Sequence, residues 1–286
     1  MKILISGATS FLGRSLIPKL QKKNCTLLLF TSNKGSFKAE KIFKKKNLKI
    51  INQSQIEKIK KFKPDIFLNL QTMYNYNADF KNLSDLIDAN IKIPLQLLML
   101  CSNSISRLIS PSTYYMYGKN TSIIKPINLF AALKYSFSIV AEQQAVEKNF
   151  IYDEVILFDT FGIGDVRKKI LNQIKLNFKD NKKVKFSPGN QVLDISDINE
   201  ISEGFIKLIF KKKNKNTKNI FFASSKNRLT LKELVKKCEK IKKSKLNIQW
   251  GALNYRKNEI MKPLYVKKNI CNKDNLDKKL NIFLNN

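Results

Sequence analysis

A short segment near the N-terminus, residues 7–13, has the residue types of a phosphate-binding turn. Gly7 and Gly13 stand at its two ends, and Ser10 stands where a third, middle glycine is usual. An apolar run precedes the segment and residues at helical spacing follow it, so backbone N–H groups at a helix N-terminus would face a pyrophosphate. This context favours a dinucleotide site over a tight turn without a ligand. The residues expected at the cofactor are Gly7, Thr9, Ser10, Phe11, Leu12 and Gly13.

The end of the second predicted strand, residues 26–30, bears on which dinucleotide is bound. In NAD-binding proteins an acidic residue at this place accepts a hydrogen bond from the ribose 2′-OH. Here the strand is followed by Thr31, Ser32, Asn33 and Lys34, with no acid. Hydroxyls, an amide and a lysine suit a 2′-phosphate better, which favours NADP(H) over NAD(H). A polar surface loop in a lysine-rich chain explains the same four residues nearly as well.

The composition excludes several kinds of catalytic site. The 286 residues include no histidine, which removes Ser-His-Asp triads, His–Cys pairs and HExxH metal sites. The cysteines have no metal-ligand spacing, so we expect no bound metal and a reducing, cytoplasmic location. They are Cys25, Cys101, Cys238 and Cys271. No apolar run approaches the length of a transmembrane helix, so no membrane span is expected.

The net charge of +32 would ordinarily indicate a nucleic acid or an anionic membrane as partner. Only five of the 54 basic residues are arginine, however, and the lysines are spread along the chain without a nucleic-acid motif. Arginine is the residue whose planar fork reads bases and phosphates. We therefore expect solvated lysine-rich surfaces, weak salt-sensitive adsorption to polyanions and no specific nucleic-acid partner.

Short β-rich runs alternate with amphipathic stretches over the first two-thirds of the chain. This alternation predicts an α/β fold with a doubly wound parallel Rossmann sheet. The predicted strands cover residues 2–6, 26–30, 65–70, 107–110 and 154–158, and the longer predicted helices cover residues 83–101 and 131–148. From about Arg167 the pattern becomes shorter and mixed, and Thr230 with Glu233 predicts a capping box. We assign residues 1–165 to a dinucleotide-binding domain. Residues 166–286 are assigned mainly to a small mixed C-terminal substrate lobe, interleaved with the last strands of the sheet.

Several later motifs resemble those of the extended short-chain dehydrogenase/reductase superfamily, in its NAD-dependent epimerase/dehydratase branch. They are Asp65-Ile-Phe-Leu-Asn-Leu-Gln71-Thr, Asp88-Ala-Asn90, Ser110-Pro-Ser-Thr-Tyr-Tyr-Met-Tyr-Gly118 and Phe158-Asp-Thr-Phe-Gly162-Ile-Gly164. The resemblance covers nearly the whole chain. It implies that Leu70 and Gln71 run beside the nicotinamide ribose and that Thr113 is the catalytic hydroxyl. It also places Asp159 on the substrate side, where asparagine is usual.

The chemistry of that family uses a Tyr-x-x-x-Lys pair on one helix. The lysine holds the nicotinamide ribose and lowers the pKa of the phenol, which exchanges a proton with the substrate. The matching stretch, residues 126–134, keeps Lys134 but has Phe130 at the tyrosine position. A phenyl ring has no proton to give. Two hypotheses therefore stay open: an NAD(P)-dependent oxidoreductase or epimerase that works without this tyrosine, and a pseudoenzyme that retains dinucleotide binding.

The short spacing between Thr113 and Phe130, together with the residues at 128–134 and 159–172, is most similar to CDP-hexose reductases and epimerases of surface polysaccharide pathways. This resemblance implies a nucleotide-activated sugar, carried by CDP or dTDP, as the substrate. Arg167 and Arg256 then become candidate contacts to its diphosphate, where a guanidinium fork fits well. The resemblance also implies a homodimer formed through the helices that include Leu83 and Ala131.

Four tyrosines lie close in sequence to the gap at position 130 or to the catalytic hydroxyl. Their side-chain directions cannot be read from the sequence, and we expect them to be aromatic packing residues rather than replacements for the missing phenol. They are Tyr114, Tyr115, Tyr117 and Tyr135.

Overall fold

Strands and helices alternate along the first 223 residues, as the sequence pattern predicts. The structure is a computed structural model, and it describes residues 1–43, 47–75, 78–119, 123–212, 217–264, 268–272 and 274–286. For residues 33, 34, 36 and 37 the description extends to the backbone only. In these ranges no helix has the length and apolar character needed to cross a membrane.

The strands are β1 (Lys2–Ser6), β2 (Thr26–Phe30), β3 (Leu48–Ile51), β4 (Ile66–Asn69), β5 (Arg107–Thr113), β6 (Ile151–Leu157), β7 (Asp159–Phe161), β8 (Val184–Lys185), β9 (Val192–Asp197), β10 (Lys218–Ala223), β11 (Arg228–Thr230) and β12 (Ile248–Gln249). The α-helices are α1 (Phe11–Lys22), α2 (Asn33–Ile42), α3 (Lys58–Phe62), α4 (Phe80–Ile87), α5 (Ile93–Cys101), α6 (Leu129–Lys148), α7 (Ile170–Asp180), α8 (Ile198–Ile209), α9 (Leu231–Lys242) and α10 (Leu276–Asn285).

Seven parallel strands form the central sheet, in the order β10-β6-β5-β4-β1-β2-β3. The chain builds one half outward from β1 to β3 and the other half outward from β4 to β10, so the order reverses between β1 and β4. In a doubly wound sheet this reversal leaves a crevice at the carboxyl ends of the strands, where ligands bind. The predicted fold is confirmed, and the crevice between β1 and β4 fixes where a site has to lie.

Helices cover both faces of the central sheet, which explains why its strands are almost continuously apolar. Residues 3–5 of β1, for example, are fully buried. On one face, Leu16 of α1 and Phe205 of α8 belong to a single buried cluster. On the other face, Leu97 of α5 and Phe137 of α6 belong to a second cluster. The two clusters hold the helices that approach the crevice from either side.

The C-terminal part of the chain contributes a small mixed lobe and one strand of the central sheet. β7, β9 and β11 form a three-stranded sheet in which β11 is antiparallel, and β8 pairs with β12. Leu234 of α9 and Leu280 of α10 are fully buried in the core of this lobe. The predicted capping box is present, because Thr230 and Glu233 each accept a hydrogen bond from the backbone N–H of the other. β10 then returns to the central sheet beside β6.

Several elements differ from the sequence prediction: β5 continues to Thr113, and β6 begins at Ile151. The helix predicted for residues 83–101 begins at Phe80, after an Asp79 cap, and is interrupted by a π-helical turn at Asp88–Lys92. The apolar spacing continues through that turn, so periodicity alone does not reveal it. The sequence analysis also missed β3, α2 and α3, because lysines crowd the segment between residues 34 and 63 and obscure its apolar pattern.

Candidate active site

Gly7 begins the turn after β1 and lies against the backbone just after β4. Its backbone lies in the left-handed region, with φ +69°, and a Cβ added there would lie 2.5 Å from the carbonyl carbon of Leu70. A Cβ added at Gly13 would lie 2.4 Å from the carbonyl oxygen of Ala8. Only glycine satisfies the backbone angle and the close approach at position 7, and only glycine lets α1 pack this closely on the turn.

Ser10, which replaces the middle glycine of the usual motif, caps α1. Its backbone is extended, with φ −63° and ψ 164°, a conformation that a residue with a Cβ adopts without strain. Its hydroxyl accepts a hydrogen bond from the Gly13 N–H at 3.0 Å, as favoured N-cap residues do. The first turn of α1 contains no acidic residue, so no carboxylate competes for the positive end of the helix dipole. The turn therefore fits a dinucleotide pyrophosphate.

The other residues predicted for this turn lie around it as expected from its fold. Thr9 and Phe11 are partly buried, and Leu12 is buried. Below the turn, Ser6 Oγ donates to Asn69 Oδ1 at 2.7 Å, and Asn69 Nδ2 donates to a second serine, Ser110, at 3.3 Å. This buried network ties together the carboxyl ends of β1, β4 and β5. Sequence analysis gave these three polar residues no role, although their place at the ends of apolar strands was a signal.

The segment after β2 starts a helix. Thr31 is buried, and the Ser32 hydroxyl caps α2 by accepting a hydrogen bond from the Gly35 N–H at 3.2 Å. Capping gives Ser32 a structural role that the sequence analysis did not foresee. The side chains of Asn33 and Lys34 lie outside the described part of the structure. The preference for NADP(H) over NAD(H) therefore stays a prediction.

Lys134 lies on the buried side of α6, and its Nζ donates to the carbonyl oxygen of Gln71 at 3.2 Å. Burial lowers the pKa of Lys134 to about 8, and the carboxylate of Glu154 opposes that shift. Glu154 is itself buried on β6 and accepts a hydrogen bond from the Ser138 hydroxyl at 2.8 Å. The structure thus brings Lys134 to the segment after β4, with a buried carboxylate behind it.

Phe130 is buried one helical turn before Lys134. The ring of Tyr74, in the segment after β4, meets it edge on, with 5.0 Å between the ring centroids and an interplanar angle of 87°. Edge-to-face contact of this kind is a favoured aromatic arrangement. Position 130 therefore serves as a packing position, and it presents no phenol to a ligand.

Asn90 clamps the segment that carries Tyr74. It is buried in the π-helical turn, where its Oδ1 accepts hydrogen bonds from Thr72 Oγ1 at 3.2 Å and from the Met73 N–H at 3.4 Å. Its Nδ2 donates to the carbonyl oxygens of Met73 and Leu86, both at 2.9 Å. Turns of this kind occur frequently at functional sites. Here the turn lets one buried amide hold three consecutive polar groups of a loop.

Thr113, the candidate catalytic hydroxyl, is the last residue of β5 and is buried. Its Oγ1 accepts a hydrogen bond from the Tyr115 N–H at 3.3 Å and so caps the short 3-10 turn Tyr114–Tyr117. Thr113 lies at the carboxyl end of β5, which is next to β4, and Gln71 lies just after the carboxyl end of β4. The candidate hydroxyl and the candidate lysine therefore both approach the same edge of the sheet.

The four tyrosines singled out in the sequence pack against one small buried cluster that includes Met116 and Phe158. This agrees with the role that we expected for them. Tyr114 does more, since its hydroxyl donates to Asp159 Oδ2 at 3.4 Å. Lys169 lies on the other side of that carboxylate, with 3.5 Å between its Nζ and Asp159 Oδ1. Sequence analysis missed Lys169, which no motif marks.

The loop after β7 contacts the phosphate-binding turn at two points. Arg167 pairs with Asp165, with 2.7 Å between Nε and Oδ1, and its guanidinium lies over the ring of Phe11 at 4.6 Å from the centroid. Arg14 of α1 donates to the carbonyl oxygen of Gly164 at 2.9 Å. Sequence analysis missed Arg14 altogether. These contacts place the predicted substrate-side loop directly beside the predicted cofactor turn.

Arg256, the second predicted diphosphate contact, is exposed. Its positive charge lowers the pKa of Tyr115, so its guanidinium lies close to the tyrosines after β5. The sequence analysis predicts both Arg167 and Arg256 as contacts to the substrate diphosphate, but the two residues have different surroundings in the structure. Arg167 lies beside the phosphate-binding turn, and Arg256 lies beside the aromatic turn that Thr113 caps.

The cysteines take no part in this site. All four are buried and free, and burial raises the pKa of the thiols of Cys25, Cys101, Cys238 and Cys271. Within the described ranges, no three cysteine, aspartate or glutamate side chains converge in a way that could hold a metal ion.

Comparison with known proteins identifies the family. The NAD dependent epimerase/dehydratase family matches residues 3–222. A CDP-abequose synthase of Yersinia pseudotuberculosis is 27% identical over 271 residues, which cover 94% of each chain. A CDP-abequose synthase of Salmonella muenchen is 23% identical over 91% of this chain and 87% of its own. Among solved structures, UDP-glucuronic acid 4-epimerase from Bacillus cereus, in complex with UDP-glucuronic acid and NAD, superposes with a TM-score of 0.86. That structure is 16% identical, and the match covers 100% of this chain and 98% of the epimerase.

These findings confirm the predicted family and the predicted class of NAD-dependent epimerase/dehydratase enzyme, and they give no support to the pseudoenzyme hypothesis. The match runs through the phosphate-binding turn, Thr113 and Lys134, and ends at β10. The match to the family therefore includes all seven strands of the central sheet. The chain belongs to the NAD dependent epimerase/dehydratase family.

Proposed function

We propose that the protein is an NAD(P)-dependent oxidoreductase or epimerase acting on a nucleotide-activated sugar, with CDP or dTDP as the carrier, in the synthesis of a surface polysaccharide. The observation that carries the proposal is the close packing of Gly7 against Leu70 at the crevice. Lys134 reaches the same edge of the sheet through its hydrogen bond to Gln71, and Thr113 ends β5, the strand next to β4. The names of the two CDP-abequose synthases support the sugar nucleotide.

A bound nicotinamide dinucleotide supplies hydride exchange at a ring carbon. The residues of the chain bind the dinucleotide and the sugar and orient them for the reaction. The turn from Gly7 to Gly13 and the N-terminus of α1 hold the diphosphate. Lys134, already bonded to Gln71, orients the ribose, and the Thr113 hydroxyl polarises the carbonyl of the sugar.

On the substrate side, we assign Asp159, Arg167 and Arg256 to the nucleotide sugar. Arg256 supports this assignment best, because it is exposed and close to the aromatic turn beyond β5. Arg167 already pairs with both carboxylate oxygens of Asp165 and donates to Thr160. It would have to give up part of this set to bind a diphosphate oxygen.

We retain NADP(H) as the preferred cofactor, since the segment from Thr31 to Lys34 offers no carboxylate to a ribose 2′-OH. The named structural neighbour carries NAD, so the preference is a point of difference to be tested. We also propose residues 1–165 as the dinucleotide domain and residues 166–286 as the substrate lobe.

A homodimer and a cytoplasmic location complete the proposal. The outer surfaces of α5 and α6 expose apolar side chains, including Met99, Ile139 and Val146. Such a surface suits association of two copies better than contact with water. The four free cysteines are compatible with a reducing compartment.

The test is direct identification of what the protein binds and converts. Titration with the purified chain should quench or enhance NADPH fluorescence. Denaturation of the protein should release a dinucleotide or a sugar nucleotide, which mass spectrometry identifies. The purified chain should then oxidise NADPH in the presence of CDP- or dTDP-4-keto sugars. Dinucleotide binding without any turnover would support the pseudoenzyme hypothesis. If the chain binds no dinucleotide, the proposal is wrong.

A further inference from the structure

The packing role of Phe130 leaves open where a reacting sugar oxygen obtains its proton. Two tyrosines on the turn that Thr113 caps are the nearest phenols along the chain to that hydroxyl. The Tyr115 N–H donates to Thr113 Oγ1 at 3.3 Å, so Tyr115 is tied to the candidate catalytic threonine. Tyr115 and Tyr114 are both partly buried residues, so neither is fully enclosed in the core.

The two rings lie against each other and lead to a carboxylate. Their centroids are 4.5 Å apart, with an interplanar angle of 49°, and a hydroxyl–hydroxyl interaction couples the two phenols. Tyr114 then donates to Asp159 Oδ2 at 3.4 Å. Ordinary aromatic packing explains the ring contact, but it does not require a phenol to be aimed at a carboxylate.

The carboxylate connects this pair to the surface. Lys169 Nζ lies 3.5 Å from Asp159 Oδ1, and the lysine side chain is 37% exposed. A continuous series of exchangeable groups therefore runs from Tyr115 through Tyr114 and Asp159 to a solvent-exposed ammonium. Such a series can replace a proton that is lost at its inner end.

The charges around Tyr115 decide which protonation state it presents. Burial raises its pKa most, and the carboxylate of Asp159 and the phenol of Tyr74 raise it further, whereas Tyr114 and the guanidinium of Arg256 lower it. The net effect is a pKa above that of an ordinary tyrosine. Tyr115 is therefore fully protonated at neutral pH, the form that a proton donor needs, and the hydroxyl of Tyr114 and the guanidinium of Arg256 are the groups that favour the phenolate left after donation.

We propose that Tyr115 is the catalytic proton donor that replaces the phenol missing at position 130, and that Tyr114, Asp159 and Lys169 relay protons to it. The inference rests on the proposed function. In the reduction direction, reduced nicotinamide delivers hydride to the carbonyl carbon and the C=O π bond breaks. The resulting alkoxide oxygen takes the Tyr115 proton, so the products are a sugar hydroxyl, a phenolate and oxidised nicotinamide. The phenolate regains its proton from solvent through Tyr114.

The experiment compares Tyr115→Phe with Tyr117→Phe, a matched control that removes a phenol from the same turn. NADPH oxidation is followed with CDP- and dTDP-4-keto sugars, and NADPH affinity and the melting temperature are measured on every variant. We expect Tyr115→Phe to lower kcat by about 10²–10⁴-fold, the usual contribution of general acid catalysis, with KM and NADPH affinity within about twofold of the wild type. Tyr117→Phe should leave kcat within about twofold.

A rescue variant separates chemistry from packing. Phe130→Tyr placed in the Tyr115→Phe background restores a phenol one turn before Lys134, so it should recover at least about tenfold in kcat. A merely structural role of Tyr115 would not be repaired from another element. Wild-type turnover that survives Tyr115→Phe, or that is lost instead in Tyr74→Phe, overturns the inference and leaves the proposed function intact. A wild-type chain that binds NADPH but reduces no keto sugar overturns both.

Discussion

The ring of Tyr74 meets the ring of Phe130 edge on, 5.0 Å from centroid to centroid. The contact joins the segment that Asn90 holds to the helix that carries Lys134. A tyrosine at position 130 would keep the same ring in the same place and add only a hydroxyl at its edge. The ring site at position 130 therefore suits a tyrosine as well as the phenylalanine that the chain has there.

Phe130→Tyr should raise turnover of a CDP- or dTDP-4-keto sugar by no more than about tenfold, because Tyr115 already supplies most of the general acid–base assistance. The Lys134 ammonium lies one turn away and would lower the pKa of the new phenol. Steady-state NADPH oxidation measures the effect. Leu129→Tyr, which adds a phenol at a partly exposed position of the same helix, should leave the rate unchanged. Equal rates for all three proteins would show that position 130 does not limit the reaction.

Gly7→Ala should abolish dinucleotide binding and destabilise the fold. Its φ of +69° strains any residue with a Cβ, at about 1–3 kcal/mol, and the new methyl group would also meet the Leu70 carbonyl at 2.5 Å. Gly251→Ala is the control, since Gly251 has φ +72° but open space around it. Urea unfolding and NADPH titration distinguish the two. If Gly7→Ala binds NADPH as well as Gly251→Ala does, the turn is not the diphosphate site.

Lys134 should make the stability of the ligand-free protein rise between about pH 8 and its ordinary pKa of 10.5. Burial lowers its pKa to about 8, so in this window the unfolded chain holds the proton that the folded chain has released. The free energy of unfolding then increases with pH, and the destabilising ammonium is fully present below pH 8.

Urea denaturation of the wild type and of Lys134→Met at pH 7.5 and 9.5 checks this sign (the first value lies below the window and the second lies inside it). The difference between the two proteins should move in favour of the wild type at the higher pH. Lys148→Met, on the exposed end of the same helix, should show no such change. A wild-type advantage that falls with rising pH would mean that Lys134 is not held as a buried, desolvated amine.

Asn90→Ala should lower the free energy of unfolding by about 1 kcal/mol, because the partly buried backbone groups of Met73 lose their partners. Asn90→Asp keeps an acceptor for the Met73 N–H but loses the donor. Its free energy of unfolding should therefore lie between those of the wild type and Asn90→Ala. Hydrogen exchange of residues 72–75 should speed up in both variants. Asn103→Ala, at an exposed position just after α5, is the control. Unchanged exchange in Asn90→Ala would rule out the clamp.

The central sheet could be predicted because its signals are local. β1 and β2 were placed to the residue, since each is a short apolar run bounded by polar residues. Lysine-rich surroundings hid β3, whose two buried residues, Leu48 and Ile51, are too few to stand out. The π-helical turn was hidden for a different reason: it changes which way Asn90 points without changing the apolar spacing.

The candidate site was only half readable from the sequence. Gly7 and Lys134 belong to motifs with fixed spacing, so their types alone point to a dinucleotide. The contact between Arg14 and Gly164 depends on a loop that lies against α1 from 150 residues farther along the chain. No spacing rule records such a contact. The direction of Tyr114 toward Asp159 is equally a product of the packed fold rather than of either residue's neighbours.

β10 completes the central sheet with residues 218–223, long after the strand beside which it lies. A chain that ends at residue 165 therefore contains six of the seven strands, with the flank of β6 still uncovered. Such a flank invites pairing with another chain. Nascent copies thus pass through an interval of aggregation risk during synthesis, and a shortened gene that stops before β10 would make that interval permanent.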